Sequence, residues 1–178
     1  QTNDQDNQYI HISQTNKEKN DSKNALFHLS ESFIELENKI EISKSLDKPL
    51  CIVNISNSNN TFSPSSLHIS IKNASTVDLL EVFVSSNQGE CFLNINRKIT
   101  LDKNVILNYS KIEKSSKSDS YIFNYDSNLM KNSTLNIVSV NANAKKSLNL
   151  WDFTLDNEGI NLNINAIVNI RDEMISAN

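Results

Sequence analysis

The last two-thirds of the chain repeat one unit, in which a polar turn is followed by a short strand of alternating apolar and polar residues. The clearest copies are residues 66–73, 98–104, 131–137 and 160–165. Alternation with a period of two residues is typical of a strand that buries one face. Four asparagines that mark the turns recur 25 to 31 residues apart, at Asn73, Asn104, Asn132 and Asn157. This spacing is that of a β-solenoid whose circuit contains two or three short strands.

The repeats therefore predict an all-β chain, a right-handed parallel β-helix, because parallel crossovers are overwhelmingly right-handed. A short helical or irregular N-terminal segment precedes it, since Leu26, Leu29 and Phe33 keep helical spacing before strand-like alternation begins. Residues 1–23 are polar and aperiodic, so we expect a tail or linker there and a β-helix core over residues 24–178. Asparagine suits the sharp turns because it tolerates the left-handed backbone conformation.

A strand starting near Pro49 and a polar loop over residues 54–66 open the predicted core. The strands expected after it are residues 67–71, 76–84, 91–95, 99–101, 105–112, 121–125, 135–140, 148–155 and 160–170. No part of this succession contains the roughly 20 apolar residues that a membrane span requires.

The charge is mild, with 17 basic and 21 acidic residues and a net charge of −4. Lysines are spread along the chain without a basic stripe, so we expect neither nucleic acid nor a membrane as a partner. Two cysteines, Cys51 and Cys91, form neither a disulfide framework nor a Cys-x-x-Cys pattern, which favours a reducing compartment. The expected location is cytoplasmic, or a plastid-type organelle if a leader was removed.

Residues with catalytic or metal-binding chemistry are few. His11, His28 and His68 are far apart and show no metal-ligand spacing, and His68 occupies a solvent-facing strand position. Cys51 and Cys91 fall in apolar strands, where a free cysteine acts as a small buried hydrophobe. The sequence therefore predicts no catalytic, cofactor-binding or metal site.

Two further residues interrupt the strand pattern. Glu81 breaks an apolar run, and we expect it at the rim, paired with a lysine of the next coil, rather than acting as a catalytic acid. Trp151 is expected to be an outward anchor or a packing plug. Glycine-rich phosphate loops, Gly-x-Ser-x-Gly elbows and paired-carboxylate motifs do not occur, which argues against a nucleotidase, hydrolase or kinase, and we expect the chain not to be an enzyme.

Between residues 25 and 170, the order of several apolar and polar steps resembles the SufB/SufD family of iron–sulfur cluster assembly proteins, most closely SufD. The steps are residues 26–33, Ile40, Pro49, Ile52, Pro64, residues 67–71, residues 79–81, Phe92-Leu93-Asn94, residues 108–113 and residues 149–159. The chain departs from the family pattern at Glu31-Ser32-Phe33, residues 37–39, residues 148–149 and residues 156–157.

The resemblance implies a non-catalytic scaffold subunit of a SufBCD-type complex that supports iron–sulfur cluster assembly. Its partners would be a SufB-like paralogue and a SufC-like ABC ATPase, which performs ATP hydrolysis. The cluster would be handled transiently by the complex, with no cofactor held by this chain. Family members are longer, so we expect the chain to be a fragment truncated at its C-terminal end, with an open coil that self-associates.

The alternative is an extracellular β-solenoid that binds carbohydrate or acts as an adhesin. Such solenoids present stacked aromatic residues and clustered aspartates on an exposed face. Only 7% of the residues are aromatic, and they are spread singly, which disfavours this alternative.

Overall fold

A computed structural model describes residues 7–16, 24–56, 60–73, 75–85, 89–114, 116–142, 144–155, 157–169 and 175–177. A 3-10 turn at Asn7–Tyr9 precedes the first strand, and one α-helix, α1 (Ala25–Glu31), follows it. The strands of the described ranges are β1 (Ile10–Asn16), β2 (Leu36–Ile42), β3 (Leu50–Ser56), β4 (Thr61–Ile71), β5 (Thr76–Ser85), β6 (Cys91–Leu101), β7 (Ile106–Lys114), β8 (Ser120–Leu129), β9 (Thr134–Ala142), β10 (Lys146–Thr154), β11 (Asn161–Asn169) and β12 (Ile175–Ala177).

From β2 onward, successive strands alternate between two sheets, which makes the chain a β-solenoid, as predicted. The seven-stranded sheet has the order β1-β2-β4-β6-β8-β10-β12, and the five-stranded sheet has the order β11-β9-β7-β5-β3. Every neighbouring pair is parallel except β1 and β2. A coil consists of one strand from each sheet. Its length is the offset between paired residues of successive coils, which ranges from 26 residues (Ser120 with Lys146) to 30 residues (Thr61 with Cys91).

Asparagines in the left-handed conformation make the turns from the seven-stranded to the five-stranded sheet. Asn73, Asn104 and Asn132 have φ of 61°, 60° and 58°. The prediction that asparagine replaces glycine there is confirmed at these three turns. At the fourth turn the left-handed residue is Gly159 (φ 72°) rather than the expected Asn157. A Cβ atom on Gly159 would lie 2.2 Å from Oδ1 of Asn132, so a side chain there would displace the Asn132 amide and also strain the left-handed backbone.

The interior between the two sheets is aliphatic along the edge beside these turns. In-register columns of isoleucine, leucine and valine fill it, namely Ile42, Ile71, Leu101 and Leu129; Ile40, Ile69 and Ile99; and Val77, Leu107 and Leu135. Burying each such side chain contributes about 1.5–3 kcal/mol. Further along the strands the interior becomes aromatic and charged, and this part holds the candidate site.

The expected N-terminal tail contains structure. Strand β1 pairs antiparallel with β2, so residues 10–16 extend the seven-stranded sheet. Two isoleucines, Ile10 and Ile12, give this strand a weak alternation that polar neighbours obscured. The boundary of the core near residue 23 stays a prediction.

Helix α1 lies on the outer face of the seven-stranded sheet and begins where Asn24 accepts hydrogen bonds from the backbone of Leu26 and Phe27. Asn94 and Asn96 donate to helix carbonyls, and Asn124 donates to both of these asparagines at 2.6 and 2.9 Å. Buried amides therefore attach the helix to the sheet. With seven residues, α1 is too short to cross a membrane, and no helix of the described ranges is long and apolar enough to do so.

Strand β4 corrects the prediction of a polar loop over residues 54–66. Strand β3 continues to Ser56 and β4 already begins at Thr61, passing through Pro64. β6 pairs along the whole of β4, whereas β2 pairs only from Leu67 onward. Pro64 thus occupies an edge, where the missing backbone N–H costs no ladder hydrogen bond.

Candidate functional site: a buried charged network between the sheets

An arginine and a glutamate face each other across the interior. Glu81 lies on β5 and Arg97 on β6, and both are fully buried. Nε of Arg97 donates to the two carboxylate oxygens at 2.9 and 3.1 Å, and Nη2 donates to Oε1 at 2.6 Å. Such two-pronged contact is the strongest geometry for an ion pair.

Neighbouring polar groups complete the hydrogen bonding of this pair. Asn54 donates to Glu81 at 2.8 Å and accepts from Arg97 Nη2 at 3.2 Å. Tyr109 OH donates to Oε2 of Glu81, and Arg97 Nη1 donates to the carbonyl of Asn96 at 2.8 Å. Buried charges are tolerated only when they are paired and hydrogen-bonded in this way.

The pKa values follow from these contacts. Burial by itself raises the pKa of Glu81, but the charge of Arg97 and the hydrogen bonds from Arg97, Tyr109 and Asn54 outweigh it and hold that pKa below its usual value. Burial, together with the negative charge of Glu81, raises the pKa of Tyr109 well above its ordinary range. The pair therefore stays ionised, and the tyrosine stays a hydrogen-bond donor.

A second polar group lies one coil further on. Lys111 on β7 is fully buried, and its Nζ donates to Asn149 Oδ1 at 2.5 Å and lies 3.4 Å from the centre of the Phe123 ring. Glu113, two residues along the same strand, accepts from Ser147 at 3.0 Å. Burial lowers the pKa of Lys111 to about 7, although the carboxylates of Glu113 and Glu81 raise it.

The interior also contains open space and one unmet amide. A cavity of about 170 Å³ lies beside the ion pair and is lined by Asn54, Ser56, Ser63, Phe83 and Tyr121, among others. Asn141, in register with Glu113, has a buried Nδ2 that finds no partner among the described residues, as does Oγ of Ser127. Apart from these two atoms, the polar groups of the network contact one another, so the arrangement fixes the interior.

The histidines predicted to be unremarkable are far apart in the fold. His11 lies on β1 and His28 on α1, where its ring contacts Phe27. His68 lies on the outward side of β4, half-buried, with Nε2 3.0 Å from Thr100 Oγ1, so its outward position was predicted correctly. In the described ranges, histidine, cysteine and acidic side chains form no group of three that could hold a metal ion.

Glu81 corrects a prediction, because it lies in the interior and pairs with Arg97 rather than with a lysine at the rim. Arg97 was missed, although the sequence carries its signal. It occupies the inward phase of β6 between Ile95 and Ile99, where an unpaired charge could not be buried. Trp151 is a packing plug and not an outward anchor, since its ring stacks on Tyr125 with centroids 3.8 Å apart.

The two cysteines differ. Cys91 is buried in the interior, as predicted, with Thr61 and Ser56 beside its sulfur at 3.6 and 3.7 Å. Cys51 is exposed, and the prediction that it is buried was wrong. On β3 the inward phase belongs to Leu50 and Ile52, which leaves Cys51 on the outer face.

This difference gives a direct test. A thiol reagent added to the native protein at high dilution, where the outer faces of both sheets are open to solvent, should modify Cys51 within seconds to minutes, and Cys91 only on the timescale of opening or unfolding. Cys91→Ala should lower the free energy of unfolding by about 1 kcal/mol, and Cys51→Ala should change it by less than about 0.5 kcal/mol. Mass spectrometry of the labelled protein and urea unfolding give the two readouts. Equal labelling rates would contradict the assignment.

Comparison with known families decides the identity of the fold. Residues 54–177 match the family described as SUF system FeS cluster assembly, SufBD core domain. The chain belongs to the SufBD core domain family. Comparison with curated proteins gives no match. The SufBD core domain carries a role in iron–sulfur cluster assembly and involves the chain in the SUF system, and the predicted resemblance to the SufB/SufD family is confirmed.

The matched range contains the whole of the network described above. Asn54, Glu81, Arg97, Lys111 and Asn149 all lie within it. The charged interior is therefore part of the SufBD core domain itself rather than of the N-terminal segment that carries α1.

Proposed function

We propose that this SufBD core domain acts as a SufD-like, non-catalytic scaffold subunit of a SufBCD-type complex. A SufB-like paralogue and a SufC-like ABC ATPase are its partners, and ATP hydrolysis belongs to the latter. The iron–sulfur cluster is cargo of the complex and is handled transiently. The location that fits this role is the cytoplasm, or a plastid-type organelle.

One observation carries the proposal: the SufBD core match covers a solenoid whose buried ionisable side chains are held by other groups of the same interior. Arg97 forms an ion pair with Glu81, and Lys111 donates a hydrogen bond to Asn149 and lies over the Phe123 ring. Charges fixed in this way stabilise a particular interior, as a scaffold requires, and do not contact a reacting group.

Co-expression tests the proposal. The tagged chain is produced with a SufB-like and a SufC-like protein, purified through the tag and assayed for ATP hydrolysis. We expect the three proteins to elute together and ATPase activity to disappear when the phosphate-loop lysine of the SufC-like partner is replaced, with the complex still intact. Hydrolysis of ATP by the chain alone, or failure to retain either partner, would contradict the scaffold role.

One observation favours the glycan-binding alternative enough to test it. Phe33, Phe62 and Phe92 form a row on the outer face of the seven-stranded sheet, with centroids 5.2 and 5.4 Å apart. Phe33 and Phe62 are packed edge to face, so the rings contact each other rather than offering open faces to a sugar. We therefore expect no binding on a glycan array, and binding that is lost in Phe33→Ala would support the alternative.

A further inference from the structure

The outer face of the five-stranded sheet, here called the flat face, consists of the outward side chains of β3, β5, β7, β9 and β11. Strand register arranges these side chains in columns that run across the sheet. Two adjacent central columns are predominantly apolar: Cys51, Leu80, Ser110, Val138 and Asn165; and Val53, Val82, Ile112, Val140 and Ile167. An apolar centre with a polar surround is the anatomy of a protein interface.

These apolar side chains are open to solvent. Val53 is 55% exposed, Val138 40% and Ile167 60%. Helix α1 contacts β4, β6 and β8 of the other sheet, so it lies on the opposite side of the solenoid. Contiguous exposed apolar surface of this kind marks an interaction site in a folded domain.

An amide ladder runs across one side of this face. Asn108 donates to Asp78 at 2.7 Å, Asn136 to Asn108 at 2.8 Å and Asn163 to Asn136 at 2.8 Å. Four coils are thereby tied together at one column by side-chain hydrogen bonds. Stacked asparagines of this type hold strands in register and favour flat, closely packed sheets.

Only two outward side chains of these five strands are charged, and their signs are opposite. Asp78 lies in the column of the amide ladder, and Lys114 lies six residues along the strand direction, in the column of Val84. The two central apolar columns separate them. A two-fold axis in the plane of the face, between the central columns, places Asp78 of one copy on Lys114 of the other, and the reverse contact follows by symmetry.

We propose that the flat face binds a second copy of this chain, face to face, with two symmetry-related Asp78–Lys114 contacts flanking an apolar centre. Self-association through this face does not depend on the proposed scaffold role.

The geometry of the two charges supports this occupant. Asp78 and Lys114 are separated by six residues along the strands, or about 20 Å, and by one strand spacing of about 4.8 Å. The line that joins them is therefore inclined by about 13° to the strands, and the two-fold axis is inclined by the same angle to the perpendicular of the strands. This axis makes the strands of the two copies cross at about 27°. Aligned sheets pack at about 30°. Five strands of seven to ten residues cover about 700 Å² per copy, close to the roughly 800 Å² that each partner buries in a standard interface.

Charge reversal tests the proposal. Asp78→Lys and Lys114→Asp each place like charges at both flanking contacts, and we expect each variant to weaken the dimer about tenfold or more. An equimolar mixture of the two variants should restore wild-type affinity. In a mixed dimer the introduced lysine of one copy meets the introduced aspartate of the other, and the unchanged Lys114 and Asp78 meet at the second contact. Sedimentation velocity from about 1 to 200 μM gives the dissociation constants.

The control variant is Asp152→Lys, an exposed charge reversal on the outward side of β10 in the other sheet, which should leave the dimer unchanged. Thermal unfolding establishes that all three variants fold. A wild-type chain that is monomeric throughout this range overturns the proposal. So does a dimer that ignores both single reversals, which would indicate association through the open ends of the solenoid, and so does a mixture that fails to recover.

Discussion

Arg97→Met should lower the free energy of unfolding by about 3–5 kcal/mol, because it leaves the Glu81 carboxylate buried without its counter-charge. Both residues are fully buried, and Arg97 makes three hydrogen bonds to the carboxylate. Urea unfolding followed by circular dichroism measures the change. This is the largest effect that we expect from a single substitution.

Two matched variants separate the ion pair from general packing. Lys98→Met, next in sequence but on the outward side of β6, should cost less than about 1 kcal/mol. Glu81→Leu combined with Arg97→Met should be more stable than Arg97→Met alone, because removing both charges removes the uncompensated one. A cost below about 1 kcal/mol for Arg97→Met would contradict a dry, fully paired site.

The second large effect is a dependence of stability on pH that originates at Lys111. Its pKa is lowered by burial from 10.5 to about 7. Between these two values the unfolded chain keeps the lysine proton and the folded chain has lost it, so raising the pH favours the folded state. Below about pH 7 both states carry the proton, and the contribution no longer changes with pH.

We therefore expect the stability of the wild type, relative to Lys111→Met, to rise by roughly 3–5 kcal/mol between about pH 7 and about pH 10. Urea unfolding of both proteins across this range measures it, and the comparison cancels every other titrating group that the two chains share. Lys72→Met, a substitution just after β4, is the control for removal of a lysine from another part of the chain. A difference in unfolding free energy between wild type and Lys111→Met that does not change with pH would contradict this prediction. It would show that the negative charges of Glu113 and Glu81 keep the buried lysine protonated.

Asp78 and Lys114 illustrate a feature that register alone creates. In the sequence they are 36 positions apart, and nothing marks them as a pair. Pairing of β5 with β7 puts them on one face at a defined offset, and pairing of β3 with β5 puts Cys51 on the same face. The two residues share a surface only because the chain coils into a solenoid with this strand register.

Alternation and turn chemistry, which are local, determined the class of fold from the sequence alone. A two-residue apolar period specifies a strand with one buried face, and Asn73, Asn104 and Asn132 supply the left-handed turns at the spacing of a coil. The order of these steps also carried the resemblance that the SufBD core match confirmed. Such signals can be recognised in the sequence because each depends on neighbours within a few residues.

Only the tertiary structure decided which polar side chains meet. The pairing of Glu81 with Arg97 joins opposite sheets, and that of Lys111 with Asn149 joins strands of different coils. Cys51 faces outward because Leu50 and Ile52, its neighbours on β3, face the interior. Packing against the opposite sheet determines which of the two sets of alternating residues is buried. A strand's alternation tells that one face is buried, but contacts between sheets determine which face it is and what each buried charge finds there.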